Sequence, residues 1–310
     1  MIFLISSLYS IHVAQKQKIL ILGGSGLLGL NLIYHLRAQF NITATFHFLR
    51  PQIDCRWVKF DSNNFENLPS LSSYDVVINC IGFTNVDSCE IDIDKAYELN
   101  SNFPRLLAEA CAQFKCKLIH ISTDNFDSSH GEIRDENVNP ISLNVYGRSK
   151  IQGENFVLSA SSKNLIFRTN FFGFARADRN SLLQWVLTES KMSGEIRAIT
   201  NVYFNPISTK FFSSVMRESI VNGFQGLYNL SSNSCISKLD FVKLVLVCAN
   251  LHHVKVFPIK LDELKSIAER PKVMCLNNDK IKGILPFPIP SLESMIFDEI
   301  SDMMEKQRNF

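Results

Sequence analysis

The feature that most constrains the fold is a glycine-rich segment near the start of the chain. It follows the apolar run Lys18 to Leu22 directly and opens an amphipathic helical pattern. Gly23, Gly26 and Gly29 form a G-x-x-G-x-x-G spacing. Such glycines permit a tight turn, let backbone approach a pyrophosphate and let the helix pack on the strand, while the helix N-terminus faces the phosphates. The segment predicts a βαβ unit that binds a dinucleotide.

Further apolar runs alternate with helical patterns along the chain. An alternation of this kind predicts a parallel sheet covered by helices on both faces. One long helical pattern, Asp92 to Phe114, contains Pro104, which must kink or split it because an interior proline costs about 3 kcal/mol. A chain of 310 residues with 46% apolar residues can bury a large core. The runs expected as strands are Ile42 to Leu49, Asp75 to Cys80, Lys117 to Ile121, Leu165 to Thr169, Glu195 to Thr200 and Gly226 to Leu230.

Three residues between Ile119 and Glu154 carry the chemistry that we expect. Tyr146 and Lys150 are four residues apart, so on a helix they share one face. Thr123 follows a strand and can face the same ligand with its hydroxyl. A hydride that adds to a carbonyl leaves charge on oxygen, so a proton must arrive, and a phenol can deliver it. We expect the Lys150 ammonium to lower the pKa of Tyr146.

The end of the second expected strand bears on the choice of cofactor. A protein that binds the 2′-hydroxyl of NAD carries an acidic residue there. This chain instead has His47 and Arg50, and an arginine suits the 2′-phosphate of NADP. Asp61, after the next apolar residues, is placed either to contact the adenine edge or to cap the following turn. After the strand that ends at Cys80, Gly82 would let the cofactor lie against backbone.

Composition excludes several classes of partner. The 32 basic and 30 acidic residues give no electrostatic footprint for nucleic acid or for an acidic membrane. None of the eight cysteines forms C-x-x-C, so they are expected to be small buried side chains in a reducing compartment rather than disulfides or metal ligands. Residues 1–17 are mostly apolar but too short to span a bilayer, and they lack the basic start of a signal peptide. We expect an N-terminal extension and a cytoplasmic protein that binds no metal.

The chain resembles the extended short-chain dehydrogenases, and within them the dTDP-4-dehydrorhamnose reductase group that binds sugar nucleotides. The resemblance runs from Lys18 to about Lys280. One departure is the sequence S-T-D-N-F-D-S-S from Ser122, where the family usually has S-T-D-Y-V-F-D-G. The motifs that carry the resemblance are the glycine loop, I-N-C-I-G-F-T-N-V-D-S-C-E from Ile78, N-x-x-x-P-x-x-L-A from Asn100, S-T-D from Ser122, N-x-Y-G-x-S-K-x-x-G-E from Asn144, R-T-N from Arg168, N-P-I-S from Asn205, S-K-x-D-F from Ser237 and R-P from Arg270.

The resemblance implies catalytic roles for Thr123, Tyr146 and Lys150, with Lys150 also on the nicotinamide ribose. It implies a reductase of a nucleotide-linked keto-sugar, with NADP(H) favoured and NAD(H) kept as the alternative. The residues expected at the cofactor, from the loop patterns and the resemblance together, are Gly23, Gly26, Leu27, Leu28, Gly29, His47, Arg50, Asp61, Ile81, Gly82, Thr84, Asn100, Tyr146 and Lys150.

Three alternatives stay open at this point. A nucleotide-sugar epimerase or dehydratase of the same fold would recycle its cofactor. A non-catalytic binding role is also compatible with the Y-x-x-x-K motif, because one member of the family keeps the motif and is a regulatory subunit of methionine adenosyltransferase. A reductase of a non-sugar ketone is the third.

The expected architecture is α/β, a doubly wound parallel Rossmann-type sheet with a small C-terminal substrate lobe. The expected division is an extension (1–17), an NAD(P)-binding domain (18–173) and a substrate lobe (174–310) interleaved with the last sheet elements at about 201–232. The expected partner is a nucleotide sugar, and a homodimer is kept open.

Overall fold

The computed structural model describes residues 16–126, 133–174 and 181–308, with backbone alone for 304–308. Most of the expected N-terminal extension and residues 127–129 of the departing loop lie outside these ranges. The strands are β1 Lys18–Leu22, β2 Asn41–Phe46, β3 Arg56–Lys59, β4 Val76–Asn79, β5 Lys117–Ile121, β6 Leu165–Thr169, β7 Phe171–Phe172, β8 Glu195–Ile199, β9 Tyr203–Phe204, β10 Ile207–Ser208, β11 Gly226–Leu230, β12 Ile236–Ser237 and β13 Lys255–Ile259. The helices are α1 Leu27–Leu36, α2 Val86–Ile91, α3 Ile93–Tyr97, α4 Phe103–Phe114, α5 Val145–Ala160, α6 Leu182–Met192, α7 Thr209–Val221, α8 Lys238–Cys248, α9 Asp279–Lys282 and α10 Leu292–Arg308.

Seven of these strands form one parallel sheet in the order β11-β6-β5-β4-β1-β2-β3. Side chains alternate across it, as the two-residue period of a strand requires. Ile19 and Ile21 belong to the core that α1 and α7 cover, whereas Leu20 and Leu22 belong to the core on the opposite face, with Phe103 of α4. The strand order reverses between β1 and β4, and ligands bind at such a point in open α/β sheets. The doubly wound parallel sheet is confirmed.

A smaller layer of structure packs beyond the carboxyl ends of the central strands. It contains the parallel pair β8 and β13 and the helices α6, α8 and α10. Phe241 of α8 stacks edge-to-face on Phe172 and Phe204, which joins this layer to the end of the main sheet. Between α7 and α8 the chain returns to the main sheet through β11, which pairs with β6. Within the described residues, no helix has the length and apolarity needed to cross a membrane.

The long helical pattern from Asp92 to Phe114 is broken where the proline predicts a break. It divides into α3, a π-helical turn over Glu98–Asn102, and α4, in which Pro104 occupies the first turn. A proline is tolerated there because the first amides of a helix have no partner within the helix. The π-helical turn buries the Asn100 side chain against the backbone of Phe83, which follows β4.

One expectation from the cysteine pattern is wrong. Cys235 and Cys275 form a disulfide, with 5.7 Å between their Cα atoms. Both cysteines flank segments that pair with β9: β12 runs antiparallel to it, and Val273 bridges to Tyr203. A separation of 40 residues hides this proximity in the sequence. The other six cysteines are free thiols.

The packing of α5 gives a first testable prediction. Gly153 lies where α5 crosses the π-helical turn, and a Cβ there would overlap the Asn100 carbonyl oxygen. Because a backbone atom cannot rotate away, Gly153→Ala should destabilise the protein by about 1–3 kcal/mol, more than the roughly 0.5–1 kcal/mol that alanine gains in a helix. Thermal unfolding measures this. Gly283→Ala is the control, because its Cβ would meet only ordinary contacts at 3.5 Å. Equal melting temperatures for both variants would contradict the packing.

Candidate active site

The glycine loop forms a cradle that fits a dinucleotide. Gly23 has a positive φ of 75°, and a Cβ there would lie 3.0 Å from the Cys80 carbonyl carbon. A Cβ on Gly29 would overlap the Gly23 carbonyl oxygen. The N-cap of α1, Gly26, makes no side-chain cap, unlike the asparagine or serine caps of α5, α6, α7 and α8. The first amides of α1 therefore remain available for a pyrophosphate.

A cavity of about 380 Å³ begins at this loop and ends at the expected catalytic residues. It brings together ten of the fifteen residues expected at the cofactor or in catalysis, together with others that the sequence did not single out. The expected residues along its wall are Gly26, Leu27, Leu28, Gly29, Ile81, Gly82, Thr84, Thr123, Tyr146 and Lys150. The additional residues are Cys80, Ile121, Ser122, Asp124, Thr169, Asn170 and Phe171.

Four other expected cofactor residues lie outside this wall, besides Gly23 beneath it. Asn100 is buried behind the cavity, where its amide holds the Phe83 backbone. His47 and Arg50 are exposed beyond the end of β2. Asp61 accepts a hydrogen bond from the Asn63 amide at 3.0 Å, as a turn cap does, and its other oxygen lies 3.6 Å from His47 Nε2. Their contacts with a cofactor stay predictions.

Tyr146 and Lys150 occupy successive turns at the start of α5, as the spacing predicts. The helix begins with the cap Asn144, whose Oδ1 accepts from the Gly147 amide at 2.9 Å. The Asn144 amide nitrogen donates to Asn125 and to the Glu269 carbonyl, both at 2.8 Å, so the helix start is tied to the strand end and to the smaller lobe. This fixes the direction in which the two catalytic candidates point.

Lys150 is buried and held by the strand beside it. Its Nζ donates to the Ile121 carbonyl at 2.6 Å and lies 3.4 Å from His120 Nε2. Burial lowers the pKa of Lys150 to about 8, while the nearby Glu154 carboxylate acts in the opposite direction. Burial also lowers the pKa of His120, so that imidazole is neutral. Lys150 is therefore an ammonium below about pH 8.

The pKa of Tyr146 differs from the expectation. Burial raises it to about 12, and the hydrogen bond with the Thr123 hydroxyl acts in the opposite direction. The expectation that Lys150 would lower this pKa is wrong for this structure. The reason is that the ammonium is directed to the Ile121 carbonyl, so desolvation of the phenolate is the larger effect. The phenol thus keeps its proton throughout the neutral range.

Next to the expected catalytic residues lies a buried ion pair that sequence reasoning missed. Arg168 binds Glu154 through two nitrogens, with Nη2 to Oε2 at 2.7 Å, and Ser122 donates to the same carboxylate at 2.5 Å. Glu154 is one turn after Lys150 on α5. The pair joins β6, α5 and the end of β5, and thereby holds the three elements that carry the catalytic candidates.

A second cavity of about 480 Å³ meets the first at Thr84, Thr123, Asp124, Tyr146 and Asn170, which line both. Its wall comes from both lobes of the molecule. The remaining residues along it are Val86, Asp87, Asn125, Ile199, Val202, Lys238, Leu261, Leu264, Lys265, Ser266, Arg270, Pro271 and Met274.

One contact closes the second cavity between the lobes. Asp87 accepts hydrogen bonds from the Ile267 and Ala268 amides and forms an ion pair with Arg270 at 2.8 Å. The hydrogen bond from Ala268 is the largest cause of the lowered pKa of Asp87, and the charge of Arg270 adds to it. The segment from Leu264 to Arg270 is thereby held over the cavity.

This fold has a dinucleotide cavity lined by a threonine, a tyrosine and a lysine, and the cavity joins a second one at the threonine and the tyrosine. Together they define an NAD(P)-dependent oxidoreductase of the extended short-chain dehydrogenase class. Residues 17–305 match the family model described as RmlD substrate binding domain, and the chain belongs to that family.

Relatives and a solved structure agree with this assignment. The chain is 29% identical over 279 residues to the probable low-salt glycan biosynthesis reductase Agl14 of Haloferax volcanii, covering 87% of this chain and 93% of the relative. It is 29% identical over 229 residues to a dTDP-4-dehydrorhamnose reductase of Aggregatibacter actinomycetemcomitans, covering 68% and 76%. The structure of dTDP-4-dehydrorhamnose reductase from Bacillus anthracis in complex with NADP superposes with a TM-score of 0.83 at 25% identity, covering 93% of this chain and 100% of that one.

Proposed function

We propose that the protein reduces the ketone of a nucleotide-linked keto-sugar with NADPH. The observation that carries this proposal is the meeting of two cavities at Thr123 and Tyr146, with Lys150 on the wall of the first cavity beside them. The first cavity has the glycine cradle that a dinucleotide needs. The second is open to a further molecule, whose reacting carbon would lie beside Tyr146 and the end of the first cavity.

The chemistry follows from the states of these residues. The bound cofactor supplies a hydride. Tyr146, protonated near neutral pH, acts as the general acid that gives its proton to the carbonyl oxygen. The Thr123 hydroxyl donates a hydrogen bond to the same oxygen and favours the developing negative charge. Lys150, on the wall of the first cavity, binds the nicotinamide ribose. A protonated phenol favours the direction of reduction, since oxidation would need the phenolate as base.

The charges of the second cavity support a nucleotide-linked substrate. Lys265, which is exposed, and Arg270, which is half-buried and paired with Asp87, line it from the segment that closes it. Cations of this kind bind a diphosphate. Two relatives are named as reductases of a dTDP-linked keto-sugar or of glycan biosynthesis. We therefore take a dTDP-linked 4-keto-sugar as the first substrate to test.

A panel of ketones with NADPH consumption as the readout tests this proposal. Turnover of dTDP-linked or other nucleotide keto-sugars, without turnover of ketones that lack the nucleotide, is the expected result. Turnover of simple ketones alone would contradict it and favour the non-sugar reductase. Cofactor binding without turnover of any ketone would favour the non-catalytic alternative.

Arg50 gives a prediction about cofactor choice. It is exposed beyond the end of β2, and residues 47–50 include no acidic side chain. A charge-assisted contact with the 2′-phosphate contributes about 1.5–3 kcal/mol, or roughly 10- to 150-fold in affinity. We expect NADPH to bind more tightly than NADH. We also expect this difference in affinity to shrink as the salt concentration rises. Arg50→Asp should reverse the order, because it adds a like-charge clash.

Fluorescence titration of both cofactors measures this preference. Arg148→Asp is the matched control, because Arg148 is an exposed arginine on α5 and lies outside both cavities. It should leave the ratio of the two affinities as in the wild type. Equal affinities in the wild type, unmoved by Arg50→Asp, would remove Arg50 from the cofactor site.

The cellular location, the domain division and the oligomeric state are also proposals, and each can be tested by a separate measurement. A cytoplasmic location is supported by the six free cysteines, and the Cys235–Cys275 disulfide is the feature that opposes it. The number of free thiols per molecule, measured in protein from freshly lysed cells, tests this location. The division between 18–173 and 174–310 is supported by the way the chain leaves the main sheet after β6 and returns with β11. A homodimer stays a prediction that light scattering measures.

A further inference from the structure

Lys238 lies beside the active site, at a position that is energetically unfavourable for a cation. It is the first residue of α8, directly after the cap Ser237, where the positive end of the helix dipole opposes a cation. Its side chain lines the second cavity, with Nζ 4.4 Å from the centre of the Phe204 ring. Burial lowers its pKa, and Arg270 acts in the same direction. No ion pair or hydrogen bond joins its ammonium to another residue in the part of the chain that the structure describes.

Asp124 faces Lys238 from the other lobe. It follows Thr123 directly, is buried, and lines both cavities. One of its carboxylate oxygens accepts from Asn170 Nδ2 at 2.9 Å. Burial raises the pKa of Asp124 to about 6, so the group is mainly a carboxylate at neutral pH. A carboxylate has about four acceptor sites, so it can take a further hydrogen bond.

The two groups attract each other without meeting. Asp124 raises the pKa of Lys238, and Lys238 lowers the pKa of Asp124, as opposite charges do. They nevertheless form no ion pair, so they hold an acceptor and a donor apart across the second cavity. Asp124 is also close enough to Tyr146 to raise the pKa of the phenol. Asp124 therefore lies next to the place where the carbonyl oxygen would bind, and Lys238 lines the same cavity.

We propose that Asp124 and Lys238 together bind one hydroxyl of the sugar ring, on the carbon next to the ketone, and so determine which keto-sugar is reduced. This inference rests on the proposed function. The hydroxyl donates a hydrogen bond to Asp124 and accepts a hydrogen bond from Lys238. The pair therefore suits a hydroxyl, which can both donate and accept. A diphosphate does not fit between them, because the Asp124 carboxylate would repel it. In a 4-keto-6-deoxy-sugar, the hydroxyl next to the ketone is the one on carbon 3.

Two substrates test the proposal: dTDP-4-dehydrorhamnose and its 3-deoxy counterpart. A site built to hold a hydroxyl with a charged donor and acceptor should reject the analogue that lacks it. Wild-type kcat/KM should favour the hydroxylated substrate by roughly 10- to 150-fold. Lys238→Met should lower kcat/KM for that substrate toward the value for the 3-deoxy compound, leave the 3-deoxy compound within about threefold of wild type, and leave NADPH affinity unchanged.

Matched variants separate this role from a structural one. Lys243→Met removes an exposed lysine from the same helix and should keep the wild-type preference. Lys238→Arg retains a cationic donor and should therefore keep part of the wild-type preference for the hydroxylated substrate. Asp124→Asn is an independent variant that should also narrow the preference, so the test stands even where Lys238→Met fails to fold.

The outcomes are distinct. An equal loss on both substrates in Lys238→Met would overturn the inference, because it would mean that the lysine supports the fold or binds the nucleotide. Equal wild-type turnover of both substrates would overturn it too, while the proposed function stands. Wild-type protein that reduces neither compound, nor any other nucleotide keto-sugar, would overturn the proposed function and this inference with it.

Discussion

Tyr146→Phe should lower kcat by about 10²- to 10⁴-fold, the usual contribution of a positioned acid. The phenylalanine keeps the ring and its packing at the start of α5, and it removes only the hydroxyl that the Thr123 side chain contacts. Cofactor affinity should stay within about threefold of wild type, because the glycine cradle and Lys150 are untouched. The loss should therefore fall on turnover and not on binding.

Single-turnover kinetics with saturating NADPH measure this loss without interference from product release. Tyr74→Phe is the matched control, because Tyr74 lies outside both cavities, at the start of β4. It should behave as wild type. A Tyr146→Phe enzyme with more than about a third of wild-type turnover would show that another group supplies the proton.

Lys150→Met should weaken NADPH binding by about 10- to 150-fold, since charge-assisted hydrogen bonds contribute roughly 1.5–3 kcal/mol. The pH dependence gives the sharper test. Because burial lowers the pKa of Lys150 to about 8, the ammonium is complete below that pH and is lost as pH rises through it. Wild-type affinity for NADPH should therefore fall above about pH 8. The variant lacks the Lys150 ammonium, and Lys117, the other lysine whose pKa burial lowers to about 8, lies outside both cavities, so the affinity of the variant should stay flat across this range.

Isothermal titration between pH 6.5 and about 9.5 resolves both effects. Lys163→Met removes an exposed lysine just after α5 and should preserve both the affinity and its fall with pH. If Lys150→Met shows the same fall as the wild type, another group titrates, and Lys150 does not carry the charge that holds the cofactor.

The parts of the fold that sequence predicts are those with a local cause. The glycine spacing between a strand and a helix requires the turn that Gly23 adopts with its positive φ. Pro104 breaks the long helix because it lacks an amide hydrogen and clashes with the preceding turn. The short strand β3, Arg56–Lys59, was not predicted as a strand. It lies at the edge of the sheet with exposed ends and so lacks the long apolar run of a central strand.

The site shows the same boundary between local and distant causes. The spacing of Tyr146 and Lys150 fixes a shared helix face, and Thr123 follows a recognisable strand. Asp124 and Lys238 come from separate lobes, so no local pattern pairs them. The R-T-N and S-K-x-D-F motifs contain Asn170 and Lys238, but they do not say that these residues face one cavity.

The extent to which a side chain is buried also cannot be predicted from the sequence. The direction of the pKa shift of Tyr146 depends on how much water the fold removes from the phenol, and that is a property of the whole active site. The disulfide between Cys235 and Cys275 likewise depends on two segments that meet only at β9.

Transfer of deuterium from labelled NADPH to dTDP-4-dehydrorhamnose tests the central claim most directly. A reductase with this site should consume one NADPH for each sugar and leave one deuterium on the carbon that held the ketone, when the label is on the transferred face of the nicotinamide. Mass spectrometry of the product and NADPH absorbance together count both. A product that carries no deuterium from either labelled face, or a reaction that leaves NADPH unconsumed, would contradict net reduction and favour an enzyme that recycles its cofactor.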